Sequence, residues 1–149
     1  MSLGGYFYNV DDYASIQAAI DAAETAGGGK VYIPSSRNIA TTITLKNGLK
    51  LIGDRKWRTI LTWAGASGGT IVTASQVDGI GLKGIQLNCA NLASYGLVLT
   101  SVTDSRFEEF FVYNTKANGI ALNMGCVNAA YAFTARNVFE GFTIQSNYD

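Results

Sequence analysis

The feature that most constrains this chain is a repeat beyond residue 70. Val72, Val77, Leu82, Ile85 and Leu87 recur in the same order and at one constant offset as Leu97, Val102, Phe107, Phe110 and Val112. A third copy is expected to begin at Ile120 and Leu122, which follow Leu97 and Leu99 two positions short of that full period. It resumes at Phe139, Phe142 and Ile144, which overshoot the period after Phe107, Phe110 and Val112 by seven positions. The surplus of nine between those two offsets is assigned to a loop between Gly125 and Arg136. Short apolar runs recurring at one such period, with insertions confined to turns, define a stacked solenoid. A leucine-rich repeat would need a regular Leu-x-x-Leu-x-Leu-x-x-Asn frame, which is missing. A mainly β chain wound as a parallel β-helix is the reading that remains.

Each coil of such a solenoid presents inward apolar residues that the next coil covers, so no coil is stable alone. Strands stacked coil on coil hydrogen-bond along the axis, at about 4.7–4.9 Å per step. Both ends of the stack then need a cover. At the N-terminal end, residues Asp12 to Ala26 predict a capping α-helix, because Ile16, Ala19, Ile20 and Ala23 fall on one face. Asp11 or Asp12 is expected to cap it, and Gly27-Gly28-Gly29 to stop it. Val31-Tyr32-Ile33, Ile43-Thr44-Leu45, Leu49-Lys50-Leu51 and Ile60-Leu61-Thr62-Trp63 predict the first strands. At the far end, Phe139 to Asn147 is a full coil segment with no cover of its own. The expectation there is a truncated sequence or a cap from another chain.

Composition narrows the function classes. The 149 residues suit one domain; 48% are hydrophobic and 15% charged, which excludes a disordered tail. Eleven Lys and Arg balance eleven Asp and Glu, so no basic footprint for nucleic acid exists. No apolar run is long enough for membrane insertion, and Met1-Ser2-Leu3-Gly4-Gly5 lacks the regions of a signal peptide. Histidine is absent, which excludes Ser-His-Asp and Cys-His catalysis and any His-ligated metal. Cys89 and Cys126 are too few for a disulfide scaffold and suggest no metal site, so both are expected to be small buried thiols.

A family resemblance rests on three strings. These are Asp11-Asp-Tyr-Ala-Ser-Ile-Gln-Ala-Ala-Ile-Asp-Ala-Ala, Gly27-Gly-Gly-Lys-Val-Tyr-Ile-Pro, and Ile43-Thr-Leu-Lys-Asn-Gly-Leu-Lys-Leu-Ile-Gly-Asp. Together they resemble the opening of pectate-lyase-like right-handed, single-stranded parallel β-helices, the superfamily of polysaccharide lyases, polygalacturonase-type hydrolases and bacteriophage tailspikes. Tyr6-Phe7-Tyr8-Asn9-Val10 replaces the usual Gly-Asp-Gly loop, and Pro34-Ser35-Ser36 replaces a Pro-x-Gly turn. The resemblance implies residues 1–8 as a leader or neck, and 9–149 as a β-helix domain of a longer protein. It implies a polysaccharide partner, a homo-oligomer with a trimer as the tailspike precedent, a virion or extracellular setting, and calcium in some members. It does not carry over a catalytic motif.

The repeat itself supplies candidate site residues. Lys83, Glu108 and Glu140 each follow an inward residue (Leu82, Phe107, Phe139) and should form one outward ladder on successive coils. Two stacked glutamates are candidate catalytic groups for a glycoside hydrolase, crowding of like charge raising one carboxyl toward a general-acid value. The alternative is a solvated surface ladder. Lys83, Arg106 and Trp57 are candidate substrate contacts, Trp57 and Trp63 bracketing a strand beside Lys56 and Arg58. Trp63 reads equally as core. Asp104, Arg106 and Arg136 read as a salt-bridged turn or as a clamp for a substrate carboxylate, and Asn88, Asn114 and Asn147 as turn residues. Three readings follow: a lyase or hydrolase, a non-catalytic glycan-binding shaft of a spike or adhesin, or the cap and first coils of a longer protein whose active site lies downstream.

Overall fold

The structure is a computed structural model that describes residues 7–55, 58–126 and 136–145. It forms three sheets in which every described pairing is parallel. Sheet A stacks β1 (Phe7–Asn9), β2 (Gly29–Ile33), β5 (Leu49–Gly53), β8 (Gly81–Lys83), β11 (Arg106–Glu108) and β14 (Val138–Glu140). Sheet B stacks β3 (Arg37–Ile39), β6 (Thr59–Trp63), β9 (Ile85–Asn88), β12 (Phe111–Tyr113) and β15 (Thr143–Ile144). Sheet C stacks β4 (Ile43–Thr44), β7 (Thr70–Ser75), β10 (Tyr95–Thr100) and β13 (Ile120–Gly125). From β2 onward the chain visits A, B and C in turn, one strand of each per coil, which is the expected parallel β-helix.

The apolar register holds the coils together. Leu82 pairs with Phe107, Leu87 with Val112 and Val72 with Leu97, and all six are buried. Phe107 and Phe139 stack with ring centroids 4.9 Å apart, and Phe110 and Phe142 at 5.4 Å. The third copy departs from expectation. Leu122 pairs with Leu97 and Ile120 with Tyr95, so the full period holds there and is not shortened by two positions. Since Phe139 still pairs with Phe107, seven positions beyond the period, the insertion is seven residues long, not nine. Alternation allows a two-residue slip without changing which side chains face inward, which is why the sequence pattern did not detect it.

The cap helix α1 spans Ile16–Thr25, not 12–26, and Ser15 caps it through a hydrogen bond from the Ala18 N–H at 3.1 Å. Asp11 and Asp12 lie in a separate 3-10 turn, Val10–Asp12, that Asn9 caps. Gly27 and Gly28 do stop the helix: both take positive φ, and their N–H groups return to the carbonyls of Glu24 and Ala23. The stripe Ile16, Ala19, Ile20, Ala23 is buried against the first coil. The Gln17 amide closes the open edge of β4: its Oε1 accepts from the Thr44 N–H at 2.9 Å, and its Nε2 faces the Thr44 carbonyl at 3.3 Å. Phe7 and Tyr8, expected in a leader, form β1 and extend sheet A by one strand.

The corners repeat as well. Gly84, Glu109 and Gly141 turn sheet A into sheet B with φ of 70°, 49° and 60°, a left-handed conformation that glycine adopts without strain. At the turn into sheet C, Asn88 Oδ1 accepts from the Ala90 N–H at 3.0 Å and from Asn114 Nδ2 at 3.2 Å, with Asn114 itself at φ 54°. Asn147 lies outside the described residues. Cys89 is buried in the core as expected, whereas Cys126, expected to be buried, is exposed. Val138, Phe142 and Ile144 of the last coil stay exposed, at 44%, 43% and 42%.

Candidate functional site: the outer face of sheet A

Alternation along sheet A sends Tyr8, Val31, Leu51, Leu82, Phe107 and Phe139 inward, and leaves two rows facing solvent. One row runs Phe7, Lys30, Lys50, Gly81, Arg106, Val138; the other runs Asn9, Tyr32, Ile52, Lys83, Glu108, Glu140. The ladder Lys83, Glu108, Glu140 is therefore in register. Gly81 leaves a notch in the first row, and the stem of Lys50 lies across it: a Cβ at Gly81 would sit 3.2 Å from Lys50 Cγ.

Arg106 organises the chemistry of this face. Its Nε lies 3.0 Å from Glu108 Oε1, and its Nη2 contacts Glu140 on the next coil. The hydrogen bond from Arg106 holds the Glu108 carboxyl below the usual glutamate range, and the positive charges of Arg106, Lys83 and Lys50 add to the effect despite some desolvation. Crowding is expected to raise one of the two stacked carboxyls; at Glu108 the direction is downward. Cations surround the group and favour its charged form. At the N-terminal end of the face, Phe7 and Tyr32 lie with ring centroids 5.4 Å apart, and Phe7 is 60% exposed.

The other candidates separate. Trp63 is core: it is 4% exposed, and its indole N–H donates to the Ala66 carbonyl at 2.9 Å. Trp57, with Lys56, lies outside the described residues. Asp104 and Arg136 form a bidentate pair at 2.6 Å across successive coils, which is the salt-bridged turn. Arg106 takes no part in that pair. Among the described residues no three acidic or thiol groups converge. No described helix is long and apolar enough to cross a membrane.

Two features escaped the sequence reading. Lys30 and Lys50 belong to the same outer row, a signal available in the parallel between Gly29-Lys30-Val31 and Leu49-Lys50-Leu51. Arg37 sits opposite Leu61, an inward position, at the N-terminal end of sheet B, where it pairs with Asp11. A cleft of about 390 Å³ opens there between the start of α1 and residues 37–43.

A capped parallel β-helix with one cation-rich outer face is the class these observations define. No protein-family model matches the chain. In sequence it is similar to mannuronan C5-epimerase AlgE4 of Azotobacter vinelandii, 42% identical over 59 residues, which is 34% of this chain and 11% of that protein. Among solved structures it resembles a Parabacteroides merdae protein provisionally named a glycosyl hydrolase (TM-score 0.72, 15% identity, 94% of this chain and 75% of that one). It also resembles ORF18 of Geobacillus virus E2 (TM-score 0.66, 19% identity, 73% and 26%). The A-module of AlgE4 is a third likeness (TM-score 0.64, 19% identity, 95% and 50%). The chain thus spans a small part of the curated relative and a quarter to three quarters of these structures, whose likeness establishes the fold.

Proposed function

We propose that this domain binds polysaccharide along the outer face of sheet A, without cleaving it there. The observation that carries the reading is the pairing of an aromatic step, exposed Phe7 against half-buried Tyr32, with the exposed cations Lys30, Lys50, Lys83 and Arg106 on one face. Aromatic faces stack on sugar rings, and cations hold their acidic substituents. Both glutamates of the face are engaged by Arg106, which favours a binding role over acid–base work. The similar proteins include a mannuronan epimerase and one provisionally named a glycosyl hydrolase, which supports a carbohydrate partner. The virus protein among them is in keeping with a virion setting. Glycan-array binding of the folded protein tests the reading, with Tyr32→Ala expected to lower retention and Glu108→Gln to leave it intact or raise it. Turnover of a bound glycan that Glu108→Gln abolishes would replace the binding role by the enzymatic one.

A further inference from the structure

The three sheets are finished differently at the cap end of the solenoid. Sheet A gains β1, and the Gln17 amide closes β4 at the edge of sheet C. Sheet B ends at β3, which pairs with β6 alone among the described strands. The cleft of about 390 Å³ lies beside this edge, with residues 14–17 on one wall and 37–43 on the other. The Ile39 carbonyl accepts from the Ala64 N–H at 2.8 Å, on the side of β6. Alternate residues of a strand direct their backbone groups to opposite edges, so the N–H and C=O of exposed Asn38 face the cleft. At three residues, β3 offers an edge about 10 Å long.

An open edge pairs with any extended chain unless something restricts it. Here the restriction is Arg37, which stands at an inward position of β3. Its Nη2 donates to Asp11, and its Nε is buried without an acceptor among the described residues. A guanidinium carries five donors, and a buried donor left unmet is costly. An apolar strand laid on β3 would bury more of this charge and leave it unpaired. A strand with a carboxylate opposite Arg37 supplies the acceptors, while Asp11 holds the other arm of the guanidinium in place. We propose that the cleft takes an extended peptide segment of another protein, which adds to β3 as a short strand and sets an Asp or Glu side chain against Arg37. Main-chain hydrogen bonds to Asn38 hold the segment, and Arg37 selects its side chain. The site lies at the end of the solenoid on sheet B, so it does not depend on the polysaccharide reading of sheet A.

The probe is the acetylated and amidated peptide Thr-Val-Glu-Val-Thr, titrated into the isotope-labelled full chain and followed by its amide NMR signals. Shifts are expected at Asn38 and along both walls of the cleft, and none at Lys50 on the outer face of sheet A. The same peptide with Lys for Glu should bind severalfold more weakly, and methylation of its backbone nitrogens should abolish binding. Glutarate, a carboxylate without a strand, should leave the Asn38 amide unmoved. Arg37→Gln should erase the preference for Glu over Lys, the amide spectrum showing that the variant is folded. Equal shifts with glutarate and peptide would reduce the cleft to a small-anion site and overturn strand addition, as would undiminished binding of the methylated peptide. Equal binding of the Glu and Lys peptides would overturn the selecting role of Arg37. No shift at Asn38 with any peptide at millimolar concentration would overturn the proposal as a whole. These arms use the unaltered chain, so they decide the matter even where Arg37→Gln fails to fold.

Discussion

Truncating Phe107 to alanine puts the inward register under the heaviest load. The residue is fully buried, with Leu82 on the preceding coil and Phe139 on the following one. Its ring lies nearly parallel to Phe139, 12° between planes with centroids 4.9 Å apart. Removing it leaves a void between two β ladders that cannot close without bending the coils, so relaxation is limited. A buried Phe→Ala change costs about 3–5 kcal/mol, within which the lost ring pair is the smaller part, roughly 0.5–1.5 kcal/mol. Lys83, paired with Glu108 one position along the same ladder, points to solvent, so Lys83→Ala should cost no more than about 0.5 kcal/mol. Urea unfolding followed by far-UV circular dichroism reads both. With a slope near 2 kcal/mol/M, Phe107→Ala should lower the midpoint by roughly 1.5–2.5 M, while Lys83→Ala leaves it in place. Similar midpoints for the two variants would refute the assignment of inward and outward positions, and with it both rows of the outer face.

Two further outcomes follow from titratable groups. Burial pushes the Cys89 thiol up to about 12, whereas Cys126 is exposed, so a thiol reagent at neutral pH should label one cysteine at once and the second only on unfolding. Rapid labelling of both in folded protein would show that the core around Cys89 is open. Hydrogen bonds from Arg136 hold the Asp104 carboxyl below the usual aspartate range, and Glu108 is lowered by Arg106. A carboxyl lowered by folding contributes stability above its unfolded value, and that contribution is lost as pH falls through the folded value. The contact of the last coil with its neighbour should therefore weaken below about pH 4, the ordinary carboxylate range, and high salt should weaken it at neutral pH. A side-chain carboxyl titration placing Asp104 at or above its free value would contradict the pairing.

The sequence by itself determined the architecture, because apolar periodicity and glycine-rich turns act locally and recur. The recurrence of Leu82 at Phe107, the small-residue stripe of the cap helix and the stop at Gly27 were legible for that reason. Register along the third copy was not, since alternation is blind to a shift of two positions and only the hydrogen-bonded pairing of Leu97 with Leu122 decides it. The helix start moved to Ser15 because capping depends on which side chain meets a free N–H, and several acidic or hydroxyl residues compete for that role within one short stretch. The candidate site divides in the same way. That Lys83, Glu108 and Glu140 share a ladder was readable from spacing. Lys30 and Lys50 of the adjoining row had a signal in their parallel strings, whereas tertiary structure alone showed that the Phe7–Tyr32 step joins them and that Arg106 ties Glu108 to Glu140. Those contacts bring together residues far apart in the chain, Lys30 with Lys50 and Arg106 with Glu140, through coil lengths that vary from one turn of the solenoid to the next. The charge state of Glu108 depends on these neighbours, and a neighbour across coils is a property of the fold.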